Sequence, residues 1–389
     1  VPRRDQKFGP ICAFPLPALL PALQRDLSLG VKRVRPCHAN RILVRQKQQR
    51  LRPRNQRRFG VMGDVWWFVI ATNAGKWYAI SPTGVVNVTP GYAANPNVAL
   101  PGYYDGMPIT ESWNGTVPFF NDSLNPPMVW LDGADQMTMY SNVLPQAISD
   151  ITYDSPTTQL LTFTTPYATA PYGAGDKIVI TGVDTYYNGT FTVVSSTTTT
   201  VTYLAVPGAA YPGGPLGTVS PNYTWNYNPN WQSVTAGWMR MYSTPNVGSI
   251  LIAGDLTATL LDGVTTVNYP VTVQWSQAFG LNQAPKTWEP TITNVANQLE
   301  VPLRGPAIDA FPCNGQFFLC SYWDTVVFSP INYATTSAPI LGVRLFNQGR
   351  GMLTSNAWAN TDKLVYGFDA RDIWVFDGND FQGLGNQRV

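Results

Sequence analysis

An all-β fold is predicted for this chain on three observations. Its apolar runs are short, rich in β-branched and aromatic residues, and bounded by turn residues. Helix signals are almost absent along the 389 residues. Gly and Pro number 33 each, and Asp-Gly recurs at Asp105, Asp132, Asp262 and Asp377, mostly where an apolar run ends. Aromatic residues make up 13% and charged residues 12%, the latter about half the usual fraction. A turn-rich, aromatic, charge-poor chain suits an assembly component covered by neighbours better than a free enzyme. The predicted architecture is a β-propeller-like body with an inserted small β-barrel or sandwich domain and an irregular basic N-terminal arm.

Residues 1–58 are the arm. They hold 15 Lys/Arg against Asp5 and Asp26, about +13, whereas residues 59–389 hold 10 Lys/Arg against 21 Asp/Glu, about −11. The run Val31–Arg58 is basic and Gln-rich, with Lys32, Arg33, Arg35, Arg41, Arg45, Lys47, Arg50, Arg52, Arg54, Arg57 and Arg58. Three readings stand open. The run binds nucleic acid or an acidic partner subunit, or it threads through an assembly where charge aids solubility, or its true sequence differs here. No base-reading motif accompanies it. The prolines of Phe14–Leu20 and the missing small-residue cleavage site argue against a signal peptide. No apolar run reaches transmembrane length.

From Phe59 the composition changes, and 59–145 reads as the first part of the body. Asp64–Ile70 is a strand, Thr72–Gly75 a turn, Lys76–Ile80 a second strand, and Ser81–Gly84 turns into Val85–Thr89. Gly115–Phe120, Asn121–Pro126 and Met128–Leu131, closed by Asp132-Gly133, give a second such unit. Residues 146–221 interrupt this pattern, because Thr is frequent there and Trp absent. Leu160–Thr164, Gly175–Ile180, an Asn188-Gly189 turn, Thr190–Val194 and Thr199–Leu204 predict a small antiparallel domain of about five strands, inserted in a surface loop. Residues 222–389 return to the aromatic composition. Tyr223–Tyr227, Trp238–Tyr242, Ser249–Ile252, Asp255–Leu261 and Pro270–Ser276 read as strands. The last stretch, Ala307–Val389, carries Gly315–Trp323, Asp324–Ser329, Lys363–Phe368 and Asp372–Phe376, which together read as one four-stranded meander. Asn347–Gly351 is Gly-rich but lacks phosphate-loop spacing and reads as a plain connection.

Chemistry-bearing patterns are sparse. His38 is the sole histidine and lies in the arm, so the body offers no Ser-His-Asp arrangement. Neither zinc spacing, a phosphate loop nor a dinucleotide fingerprint occurs, so no cofactor, no metal and no catalytic residue is expected. Cys12, Cys37, Cys313 and Cys320 are too few for a disulfide scaffold; Cys313 and Cys320 flank one predicted strand and read as buried free thiols. The carboxylate pairs Asp132/Asp135, Asp369/Asp372 and Asp377/Asp380 fit a glycosidase or calcium site on one reading and turn caps on the other. Trp66, Trp67, Trp130, Trp238, Trp275, Trp288, Trp323, Trp358 and Trp374 are either a sugar platform or body core and subunit contacts.

In combination these segments resemble the tail nozzle protein, or tail tubular protein B, of short-tailed bacteriophages. The residues that carry the resemblance are Lys76–Ile80 with Gly84 and Val88–Gly91, Val117–Trp130, Gln274-Trp-Ser276 with Pro285 and Trp288-Glu289, Tyr322–Ser329, and Gly367–Gly378. It covers residues 59–389. The resemblance implies a non-enzymatic structural virion protein at the tail tip. Copies of the chain would form a ring, usually a hexamer, below a tail adaptor protein and near tail fibres or spikes. Phage DNA would pass through the lumen during ejection, and the host cell surface would be met indirectly. An acidic body suits a conduit, because it repels phosphates instead of gripping them. Arg344 and Arg350, read as loop residues before the last strands, are candidates for subunit or lumen contacts. The chain stops at Val389 directly after a strand pair, which leads us to expect truncation or closure by another subunit. The competing expectation is a β-propeller that binds or cleaves glycans.

Overall fold

The computed structural model describes residues 42–43, 67–72, 75–90, 108–131, 134, 136–205, 213, 216–244, 248–331, 341–361 and 363–385. Among them there is no helix. Apart from Ile42 and Leu43 the basic arm lies outside the described residues, as do His38, Cys12, Cys37, Trp66, the turns at Asp105 and Asp132, and Asp135.

The strands form five four-stranded antiparallel sheets and one closed barrel, and in each sheet the strand order follows the chain. Sheet I is β1 (Ile42–Leu43), β2 (Phe68–Ala71), β3 (Trp77–Ser81) and β4 (Gly84–Asn87). Sheet II is β5 (Thr110–Asn114), β6 (Val117–Asn121), β7 (Met128–Val129) and β8 (Thr138–Met139). The barrel comprises β9 (Gln146–Ser155), β10 (Thr158–Phe163), β11 (Lys177–Thr181), β12 (Gly189–Ser196), β13 (Thr200–Leu204) and β14 (Thr218–Pro221). Sheet III is β15 (Trp231–Thr244), β16 (Gly248–Leu260), β17 (Thr266–Trp275) and β18 (Asn297–Glu300). Sheet IV is β19 (Asp309–Cys313), β20 (Gln316–Cys320), β21 (Asp324–Pro330) and β22 (Leu341–Gln348). Sheet V is β23 (Trp358–Asn360), β24 (Val365–Phe368), β25 (Ile373–Phe376) and β26 (Phe381–Gly383).

Turn chemistry sets these hairpins. Between β19 and β20, Asn314 and Gly315 take φ of 49° and 75°, the left-handed pair that a tight hairpin turn needs. At the β16–β17 and β25–β26 turns, Asp262 and Asp377 each accept two backbone N–H bonds through Oδ1, with Gly263 and Gly378 at positive φ.

The sheets stack in chain order, and this explains why several strands are apolar without alternation. All five residues of β6 are buried: Phe119 joins the core shared with sheet III, while Phe120 packs beside Trp77 of sheet I. In β20, Phe317 and Leu319 face sheet III, and Phe318 and Cys320 face sheet V. Each fully buried large side chain contributes about 1.5–3 kcal/mol of transfer free energy. The barrel keeps its own core, with Leu161, Ile178, Val201, Tyr203 and Val219.

The barrel's first and last strands pair, Ala147 with Thr218 and Gln146 with Val219, so chain entry and exit lie side by side. Below them a parallel bridge between Ser141 and Thr224 closes the stem. This geometry lets the chain leave sheet II, build the barrel and return to sheet III without spanning a gap.

Several expectations change. The barrel has six strands: β9 and β14 carry too many polar outward residues to stand out in the sequence. Gly189 opens β12, and Asn188 closes the preceding loop through bonds to the Val183 backbone, so the Asn188-Gly189 pair is not a two-residue hairpin turn; Asp184 caps the same loop. Ser249–Ile252 and Asp255–Leu261 belong to one strand, β16, interrupted by a bulge where Asp255 takes a φ of 55°. The four runs of Ala307–Val389 divide between sheets IV and V, which β19, β22, β23 and β26 complete. Tyr223–Tyr227 is irregular apart from the bridge at Thr224.

Candidate functional site

The first strands of sheets II, III and IV and the entry to sheet V converge on one buried guanidinium. Arg240, in the middle of β15, donates from Nε and Nη2 to the two carboxylate oxygens of Asp309 at 2.8 and 2.6 Å. Its Nη1 donates to the carbonyl of Glu111 in β5 at 2.9 Å, and Nη2 also reaches Asn356 Oδ1 at 2.6 Å. Asp309 further accepts from the backbone N–H of Ala310 and Asn356 and from Trp358 Nε1. Arg240 lies 5.1 Å from the centre of the Trp358 ring, a cation–π distance. The side chains are 7% and 0% exposed, so the pair relies on these bonds to offset desolvation. Asn356 Nδ2 donates to the Ile109 carbonyl and ties sheet V back to sheet II. Nearby, burial pushes the Glu111 carboxyl up against the pull of Arg240.

The free edge of β15 is closed by side chains of sheet II. Met239 N donates to Thr110 Oγ1 and Met241 N to Ser112 Oγ, while Asn121 Nδ2 and Ser123 Oγ donate to the Ala236 and Gly237 carbonyls. An unpaired edge strand is thereby satisfied without another strand. Thus part of the Val117–Trp130 segment acts as a staple between sheets.

The two arginines singled out in the sequence separate. Arg344 lies within β22, not in a loop; its side chain is exposed, 5.7 Å from the centre of the Phe346 ring. Arg350 is in the connection after β22, and it is largely enclosed. Its Nη1 donates to Asp369 Oδ2 at 3.0 Å, and Nη2 lies 3.8 Å from Asp372 Oδ2. Burial pushes the Asp369 carboxyl up, but bonds from Arg350 and from the backbone N–H of Arg371 and Asp372 outweigh it and hold the group below its ordinary range. The Asp369/Asp372 pair is therefore occupied by a cation of the chain itself. The Asp377/Asp380 pair sits in the β25–β26 turn, where backbone N–H bonds hold Asp377 below its ordinary range. Gly351 packs against the carbonyls of Ser321 and Tyr322, so the Gly-rich connection is a close backbone contact.

Trp130, Trp238, Trp275, Trp288 and Trp374 are buried, and Trp67 and Trp358 are partly covered. Tyr322 and Trp323 are exposed at the β20–β21 turn, where Arg304 pairs with Asp324. Cys313 and Cys320 end neighbouring strands instead of flanking one, and both are buried free thiols. Burial pushes the Cys320 thiol up to about 12. A cleft of about 310 Å³ between Tyr242, Asn314 and Lys363 brings no carboxylate pair together. Among the described residues no group of three or more His, Cys, Asp or Glu could hold a metal.

Sequence reasoning missed Arg240, Asp309 and Asn356. The available signal was a lone Arg inside the apolar run Trp238-Met-Arg-Met-Tyr242 and an Asp opening the apolar strand Asp309–Cys313. A charge placed among buried neighbours implies a buried partner. No protein-family model matches the chain, and no curated protein matches it.

Proposed function

We propose that this chain is a structural subunit of a phage tail, a nozzle protein whose copies form a ring that conducts and gates DNA during ejection. On this reading sheets I–V are blades of a propeller-like body, the barrel is a module inserted between the second and third blades, and the ring supports adaptor and fibre attachment. The observation that supports it most is the Arg240 hub. Groups from four sheets meet on the buried Arg240–Asp309 pair, which suits a rigid building block better than a reactive centre. Segments that carry the resemblance fall on the same framework: Val117–Trp130 staples sheet II to sheet III, and Trp288 packs edge-on against Trp225 at 4.6 Å. The net acidity of residues 59–389 suits a wall past which a polyanion slides. The test is electron microscopy of the purified protein together with a glycan-cleavage assay. Rings and no cleavage support the reading; a monomer that cleaves glycans, with the activity lost on Asp372→Asn or Asp377→Asn, overturns it.

A further inference from the structure

The stack of sheets has two ends, and the outer end of sheet V is apolar. Val365, Trp374, Phe376 and Phe381 fill the core shared with sheet IV. Strand alternation then turns Phe368 and Ile373, cross-strand partners, to the other face. Leu384 N donates to the Ile373 carbonyl and Leu353 N to that of Phe368, so Leu353, Phe368, Ile373 and Leu384 are neighbours along the backbone hydrogen bonds. They are 50%, 48%, 44% and 52% exposed. Neighbouring large apolar side chains left open to water mark a contact surface.

At the other end, sheet I turns Val69, Trp77 and Ala79 into the core shared with sheet II. Its opposite face carries Phe68, Ile80 and Val85 in cross-strand register. Phe68 is exposed and Ile80 and Val85 are partly so. Among the described residues, neither end face contributes to a core shared with another sheet. Within the chain, every successive pair of sheets packs apolar face on apolar face.

We infer that the outer face of sheet V docks on the outer face of sheet I of a second copy, continuing the sheet stacking from one subunit into the next. The inference rests on the ring reading above and names its interface. Two different surfaces meet, so the contact is head-to-tail, the kind that closes into a ring when the rotation allows. Being apolar, it is insensitive to screening, unlike a contact driven by the basic arm.

The test is native mass spectrometry and light scattering on the full chain, comparing wild type with F368E/I373K and, separately, with F68E. Wild type should assemble and stay assembled in about 1 M salt. Each variant should associate about a hundredfold more weakly while keeping its circular dichroism. A second readout does not depend on charged side chains: F68C and F368C proteins, mixed and oxidised, should cross-link to each other and far less to themselves. If wild type assembles and the variants assemble equally well, the inference falls and the ring reading stands. If wild type is monomeric at tens of micromolar, both fall. Cross-links that form as readily within one variant alone overturn the head-to-tail pairing.

Discussion

Replacing Arg240 by Met tests the framework at its centre. The substitution keeps most of the apolar stem but removes the bonds to both oxygens of Asp309, to the Glu111 carbonyl and to Asn356 Oδ1. Asp309 is left as a fully buried carboxylate whose remaining donors are Ala310 N, Asn356 N and Trp358 Nε1. Breaking a buried pair from one side costs about 3–5 kcal/mol, because the surviving charge is uncompensated. Asp309→Leu should cost a similar amount, and it also removes the acceptor of Trp358 Nε1 and of the partly buried Asn356 N–H. The double variant removes both charges, so its loss should fall short of the sum by about 2–4 kcal/mol. Guanidinium unfolding followed by Trp fluorescence reads this directly: the buried tryptophans lie in the sheets or in the segments beside them, and none lies in the barrel strands. A cost below about 1 kcal/mol for Arg240→Met, or strict additivity in the double variant, would refute the hub as a keystone.

Three further outcomes follow from single contacts. Gly254 and Gly367 each lie opposite a tryptophan, and a Cβ there would come within 2.5 Å of Trp238 and 2.1 Å of Trp374; Gly254→Ala and Gly367→Ala should each destabilise by about 1–3 kcal/mol in the same unfolding assay. In the barrel, burial pushes the Asp176 carboxyl up to about 6, above its ordinary 3.8, although Gly173 N–H opposes the rise. The folded barrel therefore binds a proton more readily than the unfolded chain, and its stability should fall by about 2–3 kcal/mol as pH rises from about 4 to about 6. Asp176→Asn, which keeps an acceptor for Gly173 N–H, should flatten that profile; an unchanged slope would dismiss the assignment. Finally, Cys320 should resist iodoacetamide at pH 8 in the native protein and label only on unfolding, as read by peptide mapping.

The elements legible in the sequence are those whose cause is local. Asp262-Gly263 and Asp377-Gly378 announce their hairpins because turn residues act within four positions. Runs such as Val117–Asn121 and Gln316–Cys320 stand out because both faces are covered. Partly solvated strands are harder to read. β22 carries Arg344, and β23 and β26 have three residues each, so one predicted meander conceals two sheets. The Asp255 bulge splits β16 in the sequence because Gly-Asp reads as a turn. The hub is hidden for a different reason: Arg240 and Asp309 are 69 residues apart, and nothing local marks them as partners. Arg350 is visible as a charge in a Gly-rich connection, but its capture by Asp369 and Asp372 depends on how sheet V folds back.

That this chain builds a ring and performs no chemistry of its own is tested most directly by electron microscopy of the purified full chain. Closed rings with a central opening, expected to be hexamers, are the predicted result. A protein that remains monomeric while releasing sugars from host surface glycans would contradict it.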